Sequence, residues 1–256
     1  MLGKLMKYDF KWINKLMMYY YIFTIAISVV TRILSNFRDT FIQNLVYGIF
    51  RGILIGCFIN IVINCLIRIW VRFRDNIYKD ESYLTHTLPV TKNSIYNAKS
   101  LSAVISIIVS IIVVIAGFLI AFLDDGLIQI LKEMFKDNNI VIIIASVTIL
   151  TILEMISMVF SGIVGIIIGN MCNNKRVLRA VLVGIMIYWV IQMAMIGLLY
   201  AYGLFNSDIN ELFKTNLASP ETIKSLSVVA SIMYLVFDGG LYLFGKKLLN
   251  KGVNVD

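Results

Sequence analysis

Six stretches of the chain, 16–34, 45–71, 100–123, 140–169, 180–203 and 225–245, are apolar almost throughout, and none is shorter than 19 residues. A helix rises about 1.5 Å per residue, so about 20 residues cross the roughly 30 Å hydrocarbon core of a bilayer. A water-soluble core of this length needs about half of its residues polar; here 59% are hydrophobic and only 15% charged, with a mean hydropathy of +0.86. The charges fall in short clusters between the runs, which excludes a soluble enzyme. The chain reads as an all-α, polytopic membrane protein of six transmembrane helices. With 16 Gly, two Pro and no Gly/Ser/Pro-rich stretch, nothing marks a linker, and 1–256 reads as one transmembrane domain. The second and fourth runs are long enough to tilt or to project beyond the bilayer.

A net charge of +8 raises the question of a nucleic-acid partner, and the placement of the cations answers it. Lys4, Lys7, Lys11 and Lys15 precede the first run; Arg68, Arg72, Arg74, Lys79, Lys92 and Lys99 lie at or between runs two and three; Lys175, Arg176 and Arg179 lie between four and five; Lys246, Lys247 and Lys251 follow the sixth. That places 16 on one side. The other side has Arg38, Lys132, Lys136, Lys214 and Lys224, five among eight carboxylates. Positive residues resist translocation, so the expectation is a plasma-membrane protein with both termini cytoplasmic and no nucleic-acid role. A lysine-bearing start before an apolar run also describes a cleavable signal, with Ala26-Ile27-Ser28 as small residues at a fitting spacing. The first run is longer than a typical signal core, and its removal would break the even span count, so a retained helix is expected. Cys57, Cys65 and Cys172 are an odd set without framework spacing, which points to apolar packing rather than disulfides.

Between the runs, residues 1–15 put Lys4, Lys7, Lys11 and Lys15 on one helical face and Leu2, Leu5, Met6, Ile13 and Leu16 on the other, the pattern of an N-terminal helix lying in the inner interface. Leu127, Ile130, Leu131, Met134 and Phe135 recur at helical spacing and predict a short amphipathic helix on the outer side. Ser219 before Pro220 reads as an N-cap followed by Pro at the first helical position. Small residues recur every fourth position in the second run (Gly48, Gly52, Gly56, continued by Asn60 and Asn64) and in the fourth (Ser157, Ser161, Gly165, Gly169). In lipid such ridges let helix backbones approach closely, within one chain or across a dimer.

Glu154 and Asp238 lie within the fourth and sixth runs, about 21 and 20 Å from their outer ends at the helical rise. An acid facing lipid at the bilayer centre costs roughly 2.5 to 3.5 kcal/mol on insertion scales, so both are expected to face protein or water. They either line a substrate path or make structural bonds, with Arg51 or Arg68 as candidate partners. Other chemistry is missing. His86 is the single histidine, no histidine–cysteine set completes a metal site, and no GxSxG motif or intramembrane aspartate-pair motif is present. Gly240, Gly245, Lys246 and Lys247 spell GxxxxGKK, which lacks the hydroxyl and the preceding strand of a phosphate-binding loop. The chain is not expected to be an enzyme or to hold a cofactor.

The connection over 72–99 reads RFRDNIYKDESYLTHTLPVTKNSIYNAK. A short helix can run to about Thr85 before Pro89 forces Leu88 out of helical geometry, and Thr91 can cap the helix of the third run. Together with MLGKLMKYDFK at the start and KKLLNKG near the end, ESYLTHTLPVTKNSIYNAK resembles the permease subunit of a type 2 ATP-binding-cassette exporter. The resemblance implies a coupling helix docked in a separate ATPase through Glu81, Tyr83, Leu84, Thr87, Leu88 and Pro89, and a second permease copy, as a homodimer, in the membrane lipid. It implies that ATP and magnesium are bound by that ATPase, and it suggests export of an amphipathic or hydrophobic compound of the antimicrobial-peptide kind. His86 departs from the family pattern. The alternatives are a stand-alone secondary transporter or channel, for which the two halves show no internal repeat, and an ATP-independent membrane immunity protein.

The charge asymmetry yields a prediction. In a cysteine-less background, single cysteines at positions 76 and 250 are expected to be shielded from an impermeant thiol reagent in intact cells, and one at position 138 to react. Labelling of position 76 from outside would reverse the orientation.

Overall fold

The computed structural model describes residues 2–37, 39–79, 81–87, 89–171, 174–206, 209 and 219–251. Arg38, Leu88, Cys172 and Lys214, and the side chains of Leu2, His86 and Ile130, lie outside the described set. The elements are α1 (Leu2–Ser35), α2 (Phe41–Tyr78), α3 (Ser82–Thr87), α4 (Lys92–Phe122), α5 (Asp125–Lys136), α6 (Asn138–Asn170), α7 (Arg176–Phe205) and α8 (Pro220–Lys251). No strand occurs among the described residues. Six helices, α1, α2, α4, α6, α7 and α8, are long and apolar enough to cross a membrane, so the chain is a multi-pass membrane protein. Each corresponds to one apolar run, extended at its ends because no breaker stops the helix where the hydrocarbon stops.

Local signals account for several termini. Thr222 donates its backbone N–H to the Ser219 hydroxyl at 3.1 Å, and α8 begins at Pro220. The Asp137 carboxylate accepts from the Asn139 N–H at 2.9 Å and caps α6. The amphipathic segment of the third connection is α5, with Phe135 64% exposed. Residues 2–15 are not a separate element: α1 runs unbroken from Leu2 to Ser35, since no residue at 15–16 disfavours a helix. Lys4, Lys7, Lys11 and Lys15 are exposed along it, and Ile13 is buried.

The chain forms two compact units, residues 1–72 with 94–132, and 73–93 with 133–256. The division runs inside α2 and near the start of α4, not at a linker. The first unit is held by polar bonds between α1, α2 and α4. The Asn14 amide donates to the Ser106 hydroxyl at 3.0 Å, and the Tyr21 hydroxyl bonds Ser110 at 2.8 Å. Nearer the N-terminus of α1, the buried Asp9 carboxylate takes Arg72 Nε at 2.8 Å and Lys99 Nζ at 3.3 Å. At its other end, Arg51 lies 5.5 Å over the Phe122 ring. Cys65 is buried and Cys57 half-buried, both as free thiols.

The second unit is held by close approach. A Cβ added at Gly165 would lie 2.6 Å from the Ala180 carbonyl oxygen, and one at Gly169 would lie 2.5 Å from the Ala180 nitrogen. The backbones of α6 and α7 therefore touch where only glycine fits. On the other side of α6, Ser146 and Ser227 share a hydrogen bond of 2.7 Å to α8, and Phe160 meets Tyr242 edge-on at 5.9 Å. The glycine ridge of α2 differs: a Cβ at Gly48, Gly52 or Gly56 would meet nothing within 4 Å.

That contrast is testable. Gly169→Ala is predicted to destabilise the fold of the single chain by about 1–3 kcal/mol, as overpacking of a tight contact does, while Gly52→Ala, open within its own chain, does not destabilise that fold. Equal melting temperatures for the two variants in detergent would contradict the assigned packing.

Candidate functional site

Three helices of the second unit each contribute a pair of polar residues one turn apart at similar depth: Glu154 and Ser157 on α6, Tyr188 and Gln192 on α7, Tyr234 and Asp238 on α8. Residues three or four apart share a helical face, and these faces turn toward one another. The Tyr188 hydroxyl donates to the Glu154 carboxylate at 3.3 Å. The Tyr234 hydroxyl donates to Gln192 Oε1 at 2.9 Å. Around them Leu153, Ile191, Met195 and Ala230 form an apolar shell with Tyr234.

The two acids differ in their surroundings. Glu154 is half-buried and holds its tyrosine partner. Asp238 is only 5% exposed, and the Ser157 hydroxyl is the polar group that faces it. Neither group has a hydrogen bond of ordinary geometry among the described residues, nor does the Gln192 amide nitrogen. A buried carboxylate with no cation beside it and only a poorly aligned hydroxyl recovers little of its desolvation cost. The sequence-derived partners are elsewhere: Arg51 stacks on Phe122 and Arg68 on Trp12, both contacts lying within the first unit.

The structure thus brings Glu154 and Asp238 into one polar cluster. Tyr188, Gln192 and Tyr234, which sequence reasoning passed over, complete it. Their signal was present as three polar pairs at i, i+3 or i, i+4 spacing in otherwise apolar runs, but aromatic hydroxyls are common enough in spans to escape notice. A groove of about 480 Å³ between α7 and α8 is lined by Val183, Met186, Val190, Val236, Gly240 and Leu241, and neither acid is on its wall. Among the described residues no group of three His, Cys, Asp or Glu is placed to hold a metal ion.

The second candidate region is the connection between α2 and α4. Its anchoring is apolar: Phe73, Ile77 and Tyr78 are buried. The Asn76 amide donates to the Glu81 carboxylate, and the Thr87 hydroxyl donates to the Leu84 carbonyl at 3.0 Å. α3 extends to Thr87, two residues past the expected stop at Thr85, before Pro89 ends helical geometry. Ser82 faces inward at 5% exposure, while Tyr83 and Leu84 stand 74% and 67% exposed. Thr87 and Pro89 are exposed and Glu81 is half-buried; Leu88 is outside the described set. Asn250, near the end of α8, donates to Asn93 Oδ1 at 2.7 Å, tying the C-terminal helix to the start of α4.

Set against known proteins, the chain matches no family model, no curated protein and no solved structure.

For the intramembrane cluster, Asp238→Asn retains shape and removes a charge without a partner, so an unchanged or higher melting temperature is predicted. Tyr234→Phe removes the bond to Gln192 and is predicted to cost about 0.6 kcal/mol, the usual scale for such bonds in membranes. A marked loss of stability in Asp238→Asn would mean that the carboxylate holds a partner of its own.

Proposed function

We propose that the chain is the permease subunit of an ATP-binding-cassette exporter, which moves an amphipathic or hydrophobic compound, of the peptide kind, out of the cell with a separate ATPase. The observation that carries this reading is α3. A six-residue helix ends just before a proline in the connection between two membrane helices. It buries one serine and offers a tyrosine and a leucine to whatever lies beside it. Exposed apolar side chains on a short, anchored helix outside the spans suit a groove in a soluble partner, and the anchoring of its flanks suits transmission of force.

In this proposal Glu81, Tyr83, Leu84, Thr87, Leu88 and Pro89 contact the ATPase, which binds ATP and magnesium. The chain works as a homodimer in the bacterial plasma membrane with both termini in the cytoplasm. The open glycine ridge of α2 supports a second copy, because close-packing faces that meet nothing within their own chain are suited to another helix. Glu154 and Asp238 supply negative charge at mid-depth for the cationic side of an amphipathic peptide. The intramembrane acids also favour one competing reading, a stand-alone secondary transporter, which predicts no ATPase partner.

The test is purification of the tagged full chain from its native membranes. The prediction is a co-purifying protein with a GxxxxGK[ST] motif, lost or reduced by about tenfold with Leu84→Asp or Glu81→Arg, the scale of one buried interface contact. Membrane insertion of both variants is expected to be normal. Recovery of the chain alone, or undiminished complex in both variants, would sink the exporter assignment.

A further inference from the structure

The first unit gathers three cations near the C-terminal end of the apolar run of α2. Asp9 is the only carboxylate in the first 38 residues, and it is engaged by both Arg72 and Lys99, with side-chain exposures of 7%, 13% and 4% for the three. Arg68, one turn before Arg72 on α2, adds a third cation. Its guanidinium carbon lies 5.0 Å from the centre of the Trp12 ring and that of Arg72 lies 5.1 Å from it. The indole face attracts both guanidinium groups but accepts none of their in-plane hydrogen bonds. The Arg68 Nε is buried and bonds no acceptor among the described residues. Among the described residues Arg72 and Lys99 meet on Asp9, and beside them Arg68, a residue with five donors, holds a buried Nε with no acceptor.

This cluster sits where the apolar run of α2 ends, the depth at which phospholipid headgroups lie. Exposed Lys11 and Lys15 flank Trp12 on α1. The same face of α1 continues as Leu16, Tyr19 and Phe23, at i+4, i+7 and i+11 from Trp12, with exposures of 42%, 70% and 56%. A cationic cluster at the end of the apolar run of α2 thus adjoins an apolar strip on α1 running toward the hydrocarbon. We propose that Arg68, Arg72 and Trp12 form a binding site for the phosphate of an anionic phospholipid, whose acyl chain lies along Leu16, Tyr19 and Phe23. A phosphodiester offers paired anionic oxygens to the guanidinium fork. A net negative headgroup is attracted to this group of cations, as a zwitterionic one is not. The apolar strip favours a lipid over a soluble anion. The inference rests on the six spans and is independent of the exporter proposal.

The experiment uses the full chain in nanodiscs of phosphatidylcholine, with and without phosphatidylglycerol. Native mass spectrometry is expected to show phosphatidylglycerol retained by the wild type, and thermal unfolding to shift upward with it. Arg68→Gln should reduce that affinity about five-fold, the scale of one cation near a lipid phosphate, while Lys251→Gln leaves it unchanged. If Arg68→Gln does not fold, a protein with Trp70→Phe and Trp189→Phe leaves Trp12 as the one reporter. Its fluorescence should then be quenched saturably at low mole fractions of chain-brominated phosphatidylglycerol, and only in proportion to mole fraction by the brominated phosphatidylcholine. Undiminished retention by Arg68→Gln, or equal quenching by the two lipids, would overturn the site. Stabilisation by inorganic phosphate equal to that by phosphatidylglycerol would show that it takes a soluble anion and overturn the lipid assignment.

Discussion

Lipid offers no hydrogen bonds, and that fact governs every level of this structure. A backbone N–H or C=O left without a partner in hydrocarbon costs several kcal/mol, so each crossing closes its backbone bonds within a helix. The same rule then acts on side chains. A polar group on a spanning helix either finds a partner on a neighbouring helix or retains its desolvation cost. Because the hydrophobic effect does not drive helix to helix inside a bilayer, polar partners and close contacts decide how helices associate.

The two units meet this demand differently. In the first, serines spaced four apart on α4 receive an asparagine and a tyrosine of α1, and an aspartate pairs with two cations. Fixed directions and charge matching specify which faces meet. In the second, the contact of α6 with α7 depends on removing side chains altogether, so that Gly165 and Gly169 leave room for the backbone of α7. Dispersion over many close atoms replaces the directional bonds. Against that well-matched background, Asp238 stands out, since it is buried with only the Ser157 hydroxyl facing it and no hydrogen bond of ordinary geometry among the described residues.

On the proposed reading the working parts are separate in kind. The α2–α4 connection presents exposed side chains on a short helix held by buried neighbours, which is the physical form of a docking element. The acid cluster is a place where charge is held at a cost in mid-membrane, and natural sequences rarely place acids there without a use. The glycine ridge of α2, with open space before it, is a helix face that suits another helix as readily as the ridge of α6 suits α7.

Much of this protein follows from its sequence alone. Six long apolar runs determine six helices because hydrogen bonding inside lipid allows a continuous apolar stretch little else. Ser219-Pro220 determines where α8 starts, and the period of Leu127, Leu131 and Met134 determines α5, because capping and amphipathic spacing act within a few residues. The sequence also places Glu154 and Asp238 at one depth, since rise per residue is fixed. Pairing was beyond it. Asp9, a lone acid in a lysine-rich segment that drew no reading from the sequence, becomes the anchor of Arg72 and Lys99 only when α1, α2 and α4 come together. The serine ridge of α4 passed unnoticed because its partners, Asn14 and Tyr21, lie about 90 residues away in the chain. Two glycine ridges look alike in sequence, yet one touches α7 and the other meets open space, because a small-residue spacing encodes the ability to approach a backbone and says nothing about which backbone arrives. Tertiary structure alone decides that, since close contact and charge pairing are properties of two helix faces and each run of sequence specifies only one.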